Sequence, residues 1–207
     1  MEKNFQLKLI LIGDSGVGKS CIHHQLTDES FKQIYKSTIG VDYGSYLIRK
    51  NDYNFRLQLW DTAGQEMFHS LVRSYFRNKI GAIIVFDLTD RETFISVRQW
   101  IKEIKLFCSP EIIIILVGNK IDLKDKRQVT YEEANKFAKD HDIHYFEVSA
   151  KDNRQIKDMF ERITETITNK YITNRDISID RLPDGISIGG NYIVSIDKPI
   201  EKKGCCY

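Results

Sequence analysis

Two short polar segments, each directly after an apolar run, carry residue types that bind a phosphorylated nucleotide. The first, Gly13-Asp14-Ser15-Gly16-Val17-Gly18-Lys19-Ser20, follows the apolar run from Leu7 to Ile12. Its spacing is that of a P-loop, in which backbone N–H groups surround phosphates, the lysine reaches the β- and γ-phosphates and the hydroxyl ligates Mg²⁺. The loop lies between a predicted strand and a predicted helix, and a helix N-terminus favours phosphate.

The second segment, Asn119-Lys120-Ile121-Asp122, ends the apolar run from Ile112 to Gly118 and supplies an amide and a carboxylate. A carboxylate accepts hydrogen bonds from two neighbouring N–H groups, and guanine offers such a pair at N1 and its exocyclic N2. Adenine presents an acceptor and no amino group on that edge, so it would leave the carboxylate unpaired. The two segments together predict binding of GTP and GDP.

Further polar residues lie where the phosphates and the attacking water need them. Asp61 follows a strand-like run, and its carboxylate can hold the Mg²⁺ shell, usually through water. Gly64 can donate its N–H to the γ-phosphate, and Gln65 can orient a water without being a strong base. The hydroxyl of Thr38, in the linker between the first helix and the second strand, can complete the Mg²⁺ shell.

The guanine base has its own candidate contacts. The segment Ser149-Ala150-Lys151 closes the last predicted strand and can offer backbone N–H groups to the guanine carbonyl. Phe31 and the aliphatic stem of Lys120 are candidates to sandwich the purine ring. Tyr35 has two open interpretations, since it either covers the nucleotide or is simply exposed.

Composition limits the class of protein. The 207 residues carry a formal net charge of +2, which gives no support for nucleic-acid binding. No stretch approaches the roughly 20 apolar residues that span a bilayer, and the first apolar run is too short for a signal peptide. We therefore expect a cytosolic protein. Cys21 and Cys108 are isolated, and no pair has the Cys-x-x-Cys spacing of a zinc site.

Apolar strand-like runs alternate with amphipathic helical stretches along the chain. The predicted strands are Phe5–Ile12, Tyr43–Arg49, Phe55–Trp60, Ala82–Leu88, Ile112–Gly118 and Tyr145–Val148. Helices are predicted to start at Lys19, near Phe68, at Arg91, at Thr130 and near Asn153. Unbroken β-branched runs are typical of parallel strands covered on both faces. This alternation predicts a doubly wound α/β fold, with a six-stranded, mostly parallel sheet, one antiparallel edge strand and helices on both faces.

Several local patterns refine this outline. Thr130-Tyr131-Glu132-Glu133 reads as a capping box, and Asn51 to Asn54 has the chemistry of a hairpin turn. Trp100 lies in an apolar helical stretch and is interpreted as core. His23 and His24 are adjacent on the first helix, where neighbours do not share a face, which argues against a metal site.

After about residue 172 the helical periodicity ends, so we predict a nucleotide-binding domain over residues 1–172 and a flexible tail over 173–207.

With these residues in view, the chain resembles a small GTPase of the Ras superfamily, and specifically a Rab-family member, over roughly Phe5 to Tyr171. The Rab resemblance rests on Ile39 to Tyr43, Arg56 to Asp61, Val85 to Thr89 and the cysteine pair near the end. By resemblance, Lys19 contacts the β- and γ-phosphates, Ser20 and Thr38 ligate Mg²⁺ with Asp61 in its outer shell, and Gln65 positions water.

The resemblance likewise implies the remaining nucleotide contacts. They are made by the P-loop residues, by Cys21 directly after the loop, and by the predicted base-binding residues. Ser15 stands where small residues are usual and leaves room for Gln65 and a partner's arginine. Met67-Phe68 and the segment from Tyr75 to Lys79 depart from the usual pattern in the segment called switch II. The departures affect which partners bind rather than the chemistry.

The resemblance also implies partners and a membrane. Cys205 and Cys206 resemble the paired-cysteine endings of Rab proteins, which take geranylgeranyl groups on both thiols. We therefore expect a monomer on the cytoplasmic face of an intracellular membrane, with a cytosolic pool. The implied partners are an exchange factor, a GTPase-activating protein, effectors, a prenylation escort and a GDP-dissociation inhibitor.

Two rival functions stay open at the level of sequence. A nucleotide-locked adaptor would bind GTP or GDP and serve only as a docking module, which intact Thr38, Gly64 and Gln65 disfavour. A small-molecule kinase would share the P-loop but leaves Asn119 and Asp122 unexplained. The leading hypothesis is a switch that regulates vesicle traffic, with slow intrinsic hydrolysis because no arginine lies within the loop.

Overall fold

A central β-sheet with helices on both faces organises the chain in the computed structural model, which describes residues 3–28, 40–50, 52–62, 75–173 and 182–188. The strands are β1 (Lys3–Ile12), β2 (Val41–Lys50), β3 (Tyr53–Thr62), β4 (Gly81–Asp87), β5 (Ile113–Asn119), β6 (His144–Glu147) and β7 (Ile186–Ile188). The helices are α1 (Lys19–Thr27), α2 (Arg91–Phe107), α3 (Tyr131–Asp140) and α4 (Ile156–Thr168), with a 3₁₀ turn at Lys124–Lys126 and a π-helical turn at Asn169–Thr173.

The order of the strands confirms the predicted doubly wound fold. Along the sheet the order is β2-β3-β1-β4-β5-β6. Strands β1, β3, β4, β5 and β6 pair in parallel, while β2 pairs antiparallel with β3 at one edge. The predicted hairpin joins β2 and β3, with Lys50 opposite Tyr53. Because parallel strands present their carboxyl ends at one edge, the end of β3 and the loops after β1, β5 and β6 converge there.

Successive residues of β1 supply two separate hydrophobic cores. Leu9 and Leu11 face a core closed by α1 and α4, whereas Ile10 and Ile12 face a core closed by α2 and α3. All four side chains are buried, as the period of two along a strand requires when both faces are covered. The regular spacing of apolar residues in α4 also gives the predicted buried face, from Ile156 to Ile167.

The start of α3 is capped on one side only. The Thr130 hydroxyl accepts a hydrogen bond from the Glu133 backbone N–H at 3.2 Å, which confirms the predicted N-cap. The Glu133 carboxylate instead accepts two hydrogen bonds from the Arg91 guanidinium, at 2.6 and 3.0 Å. The second half of a capping box is therefore replaced by a contact between α2 and α3.

A seventh strand adds to the six that the sequence predicted. Strand β7 lies within the segment expected to form a flexible tail, and it pairs antiparallel with β1, placing Leu7 opposite Ile186. It occupies the edge of β1 before β4 begins to pair at Leu9. Gly185, with φ +89°, precedes β7, and a Cβ atom there would lie 2.4 Å from the Ile80 backbone N. The strand escaped prediction because three residues are too few to show a period.

The helix predicted near Phe68 lies outside the described residues. Within the described ranges, every helix is too short or too polar to cross a membrane.

Candidate nucleotide site

The backbone of the P-loop (residues 13–20) requires glycine at positions 13 and 18. Gly13 has φ +136°, and a Cβ atom there would lie 2.1 Å from the Val85 carbonyl oxygen. Gly18 has φ +98°, and its Cβ would lie 2.3 Å from Nδ2 of Asn119. Gly18 is also the N-cap of α1, where no side chain caps the first turn. The first N–H groups of α1 thus point to a place suited to an anion.

Two carbonyl oxygens of the P-loop hold the side chain of Lys19 in place. Its Nζ donates hydrogen bonds to the carbonyl oxygens of Gly13, at 2.8 Å, and Asp14, at 2.6 Å. Burial lowers the pKa of Lys19 to about 8, although the charges of Asp61 and Asp14 act in the opposite direction. A buried ammonium group loses its water, so an added phosphate charge beside it would stabilise its charged form.

Ser20 and Asp61 meet beside Lys19. The Ser20 hydroxyl donates a hydrogen bond to Oδ2 of Asp61, which joins the first turn of α1 to the end of β3. Oδ1 of Asp61 is buried and has no hydrogen-bond partner among the described residues. Burial raises the pKa of Asp61 to about 6, although the Ser20 hydrogen bond and the Lys19 charge lower it. A buried carboxylate oxygen with spare acceptor capacity is a natural contact for a hydrated cation.

Trp100 takes part in the site, in addition to filling the core as the sequence predicted. Its indole Nε1–H donates a hydrogen bond to Oδ1 of Asp14 at 2.8 Å, across 86 positions of sequence. The ring is buried against the α2–α3 core. The tryptophan therefore fixes the P-loop to α2, and no local pattern in the sequence signals that contact.

Asn119 connects the P-loop to the last loop of the site. Its Nδ2 donates to the Val17 carbonyl oxygen at 2.8 Å, and its Oδ1 accepts from the Ala150 backbone N–H at 3.1 Å. The side chain is buried. The Asn119 side chain thus joins the P-loop to the loop after β6, while the base contact that the sequence predicts for it stays a prediction.

The two predicted base-binding loops, residues 119–122 and 149–151, are joined to each other. The Ser149 hydroxyl donates to Oδ1 of Asp122 at 2.7 Å and accepts from the Asp152 N–H at 3.0 Å. Lys120 has φ +69°, and its Nζ lies 2.6 Å from Oδ2 of Asp87 at the end of β4. This ion pair fixes the lysine stem at the mouth of the site.

Two residues of this framework were missed by the sequence analysis. The buried Gln25, on α1, donates from Nε2 to the Ala150 carbonyl oxygen at 2.7 Å. Asp87 pairs with Lys120 and accepts hydrogen bonds from the backbone N–H and hydroxyl of Thr89. Asp87 is the polar last residue of the apolar strand β4 and thus carried a signal, whereas Gln25 carried none.

The structure brings together the predicted site residues of the P-loop, the adjacent Cys21, Asp61 and both predicted base-binding loops. The predicted residues Phe31, Tyr35, Thr38, Gly64, Gln65, Cys205 and Cys206 lie outside the described residues.

Comparison with known proteins agrees with this geometry. The family model described as "Ras family" matches residues 8–169. The chain is 39% identical to human "Ras-related protein Rab-4B" over 196 residues, covering 95% of this chain and 92% of that protein. It is 38% identical to bovine "Ras-related protein Rab-4A", covering 95% and 89%, and 38% identical to "Ras-related protein RABD2a" of Arabidopsis thaliana, covering 99% and 98%.

A doubly wound sheet with a P-loop between β1 and α1, and with base-binding loops after β5 and β6, defines a P-loop nucleotide-binding protein. The match to known proteins covers most of the chain and shows that the chain belongs to the Ras family. It is a small GTPase of the Rab branch. It hydrolyses GTP and acts in Rab-type membrane trafficking. Nothing in the comparisons favours a nucleotide-locked adaptor.

Proposed function

We propose that this GTPase is a switch whose catalytic centre is assembled by Lys19, Ser20 and Asp61, and whose lipid-modified tail holds it at a membrane. The observation that supports the catalytic assignment is the meeting of these three side chains at the N-terminus of α1. There the Ser20 hydroxyl donates a hydrogen bond to the Asp61 carboxylate, and the charge of that carboxylate interacts with the Lys19 ammonium group.

The residues present fit a Mg²⁺ ion. A hard cation prefers oxygen ligands, and the site offers a hydroxyl next to a buried carboxylate with an oxygen that has no partner within the described chain. Ser20 would ligate the ion directly, Thr38 would add a second hydroxyl, and Asp61 would hold the outer shell. When bound, Mg²⁺ neutralises charge on the β- and γ-phosphates.

Lys19 supplies the second positive charge at the phosphates. Its Nζ binds two loop carbonyl oxygens, which keeps the ammonium group at the centre of the P-loop. Phosphoryl transfer to water depends mainly on positioning and on charge stabilisation. Because the P-loop contains no arginine, we propose slow intrinsic hydrolysis that a GTPase-activating partner accelerates by about 10³–10⁵ through an arginine of its own.

Gln65 would orient the attacking water, while the backbone N–H of Gly64 would contact the γ-phosphate. Thr38 and Gly64 would hold their segments against the γ-phosphate in the GTP state and release them after hydrolysis, so effectors would distinguish the two states. Cleavage of one bond would thus change the conformation of the segments that contain Thr38 and Gly64.

Nucleotide retention and single-turnover hydrolysis test the catalytic assignment. The stripped protein with Mg²⁺ should retain GTP and GDP in strong preference to ATP. Gln65→Leu should keep GTP affinity and lose partner-stimulated turnover, whereas Ser20→Asn should favour the GDP or empty state. Asp125→Asn, an exposed change on the 3₁₀ turn, is the matched control. Stimulated turnover that is unchanged in Gln65→Leu would refute the role of Gln65.

For the membrane, we propose geranylgeranylation of Cys205 and Cys206. Two lipid chains give durable attachment where one gives marginal binding, and Lys202 and Lys203 add a weak attraction to anionic lipid. An exchange factor, an activating protein, effectors, an escort and a GDP-dissociation inhibitor would act on this cycle at the cytoplasmic face of an intracellular membrane. Labelled geranylgeranyl donor with its transferase should label the chain, and Cys205→Ser with Cys206→Ser should remove both the label and the membrane localisation.

A further inference from the structure

Two adjacent histidines of α1 and an aspartate of β2 form a cluster apart from the nucleotide site. His23, His24 and Asp42 each direct a ligand-type atom into the same space, where these atoms all lie within 4.8 Å of one another. Nε2 of His24 is 4.0 Å from Oδ2 of Asp42, and the two imidazole rings stand edge to face with centroids 5.3 Å apart. Adjacent helical residues point about 100° apart, and the third ligand comes from the strand packed beside the helix.

His23 has no protein partner for its polar atoms within the described chain. The side chain is only 2% exposed, yet neither Nδ1 nor Nε2 has a hydrogen-bond partner among the described residues. A buried polar group without a partner costs free energy comparable to a lost hydrogen bond, so such a group calls for a ligand or a specific function. Burial also lowers the pKa of His23, which keeps the imidazole neutral and able to bind a metal.

The orientation of His24 is fixed by a carboxylate on its far side. Nδ1 of His24 lies 3.0 Å from Oδ2 of Asp28, so the carboxylate favours the tautomer with its proton on Nδ1. Metal-binding histidines usually have this arrangement, in which one ring nitrogen donates to a carboxylate and the other faces the metal. Asp28 thus directs the lone pair of Nε2 towards Asp42.

Gly44 has no side chain and so leaves room for the His23 imidazole in the cluster. Gly44 lies two residues after Asp42 on β2 and therefore on the same face of the strand. A Cβ atom at Gly44 would lie 2.4 Å from Nε2 of His23 and 2.9 Å from its Cε1. A side chain at position 44 would therefore force the His23 imidazole to move.

We propose that His23, His24 and Asp42 form a binding site for Zn²⁺ that ties α1 to β2, with Asp28 as the outer carboxylate. Two imidazoles and one carboxylate suit a borderline cation such as zinc, whereas Mg²⁺ prefers oxygen ligands alone. Tetrahedral bonds of about 2.1 Å place ligand atoms about 3.4 Å apart, so the ligands need to close by little more than 1 Å. The metal would link the helix that starts with Lys19 and Ser20 to the strand that follows the segment containing Thr38.

Zinc binding to the GDP-loaded full chain tests the site, by competition with a chromophoric chelator. Cys205→Ser and Cys206→Ser are present throughout because thiolates bind zinc strongly. One zinc ion per chain should bind in this background. His24→Asn and Asp42→Asn should each weaken binding about tenfold or more, and Asp28→Asn by about 10- to 100-fold. His144→Asn, at an exposed histidine of β6, is the matched control and should not change the affinity.

A second readout observes the histidine rings directly. In the unsubstituted histidine background, zinc should shift the ring-nitrogen NMR signals of His23 and His24 and leave those of His141 and His144 in place. Gly44→Ala should abolish the shift while GDP remains bound. The proposal is overturned if no zinc binds, if His24→Asn and Asp42→Asn bind it unchanged, or if the shifted signals belong to other histidines.

Discussion

The buried carboxylate of Asp61 gives the sharpest prediction, because its placement favours function over stability. An unpaired aspartate has a pKa of 3.8, whereas burial raises that of Asp61 to about 6 in the folded protein. Between these two values the folded state binds more protons than the unfolded state, so the free energy of unfolding falls as the pH rises. Well below pH 3.8 the side chain is protonated in both states and contributes nothing.

Asp61→Asn removes this cost, since the amide stays uncharged at every pH. A shift of about 2 pKa units corresponds to about 3 kcal/mol. We therefore expect the variant, with GDP bound and Mg²⁺ chelated, to unfold with a free energy about 3 kcal/mol higher than the unsubstituted protein at pH 7.5. At pH 4.5 the advantage should shrink to about 1 kcal/mol, because the folded-state carboxylate is then largely protonated.

Urea unfolding at both pH values, with saturating GDP and EDTA, measures these differences. Added Mg²⁺ should raise the stability of the unsubstituted protein and have a smaller effect on Asp61→Asn. The exposed substitution Asp125→Asn is the control and should change stability by less than about 0.5 kcal/mol. The reasoning is refuted if Asp61→Asn raises the free energy of unfolding equally at both pH values, or lowers it at pH 7.5. Either result would show that burial does not destabilise the charged form of Asp61.

Three further predictions concern the framework of the site. Trp100→Phe removes the indole N–H but keeps an aromatic ring, so GDP release in a fluorescent-nucleotide assay should be about fivefold faster, for a loss of about 1 kcal/mol; an unchanged rate would mean that the hydrogen bond does not position the P-loop. Ile186→Ala should lower the free energy of unfolding by about 2–4 kcal/mol, and the half-exposed Ile188→Ala by under about 1; equal effects would place β7 off the sheet. Gly18→Ala should abolish GDP retention because its Cβ would overlap the Asn119 amide, with circular dichroism as the check on folding.

Much of the fold and of the chemistry was readable from local patterns. The P-loop, the base-binding segments and the six main strands depend on residue types at fixed short spacings, which neighbours in sequence specify. Thr130 was recognised as a helix cap for the same reason. The sequence also predicted that the Glu133 side chain would close the capping box, which is wrong because Arg91, which binds that carboxylate, comes from another helix.

The sequence by itself determined that the chain has the residue pattern of a GTPase and predicted which residues bind phosphate and guanine, since glycine, lysine, serine and aspartate at those spacings suit that chemistry. Only the tertiary structure decided how these residues are held. Trp100 reaches Asp14 across 86 positions, and Gln25 reaches Ala150 across 125. Such contacts depend on which helix packs over which strand, and so do the pairing of β7 with β1 and the meeting of Asp42 with two histidines. Local periodicity does not predict such contacts, because it indicates which face of an element is buried and not which other element packs against that face.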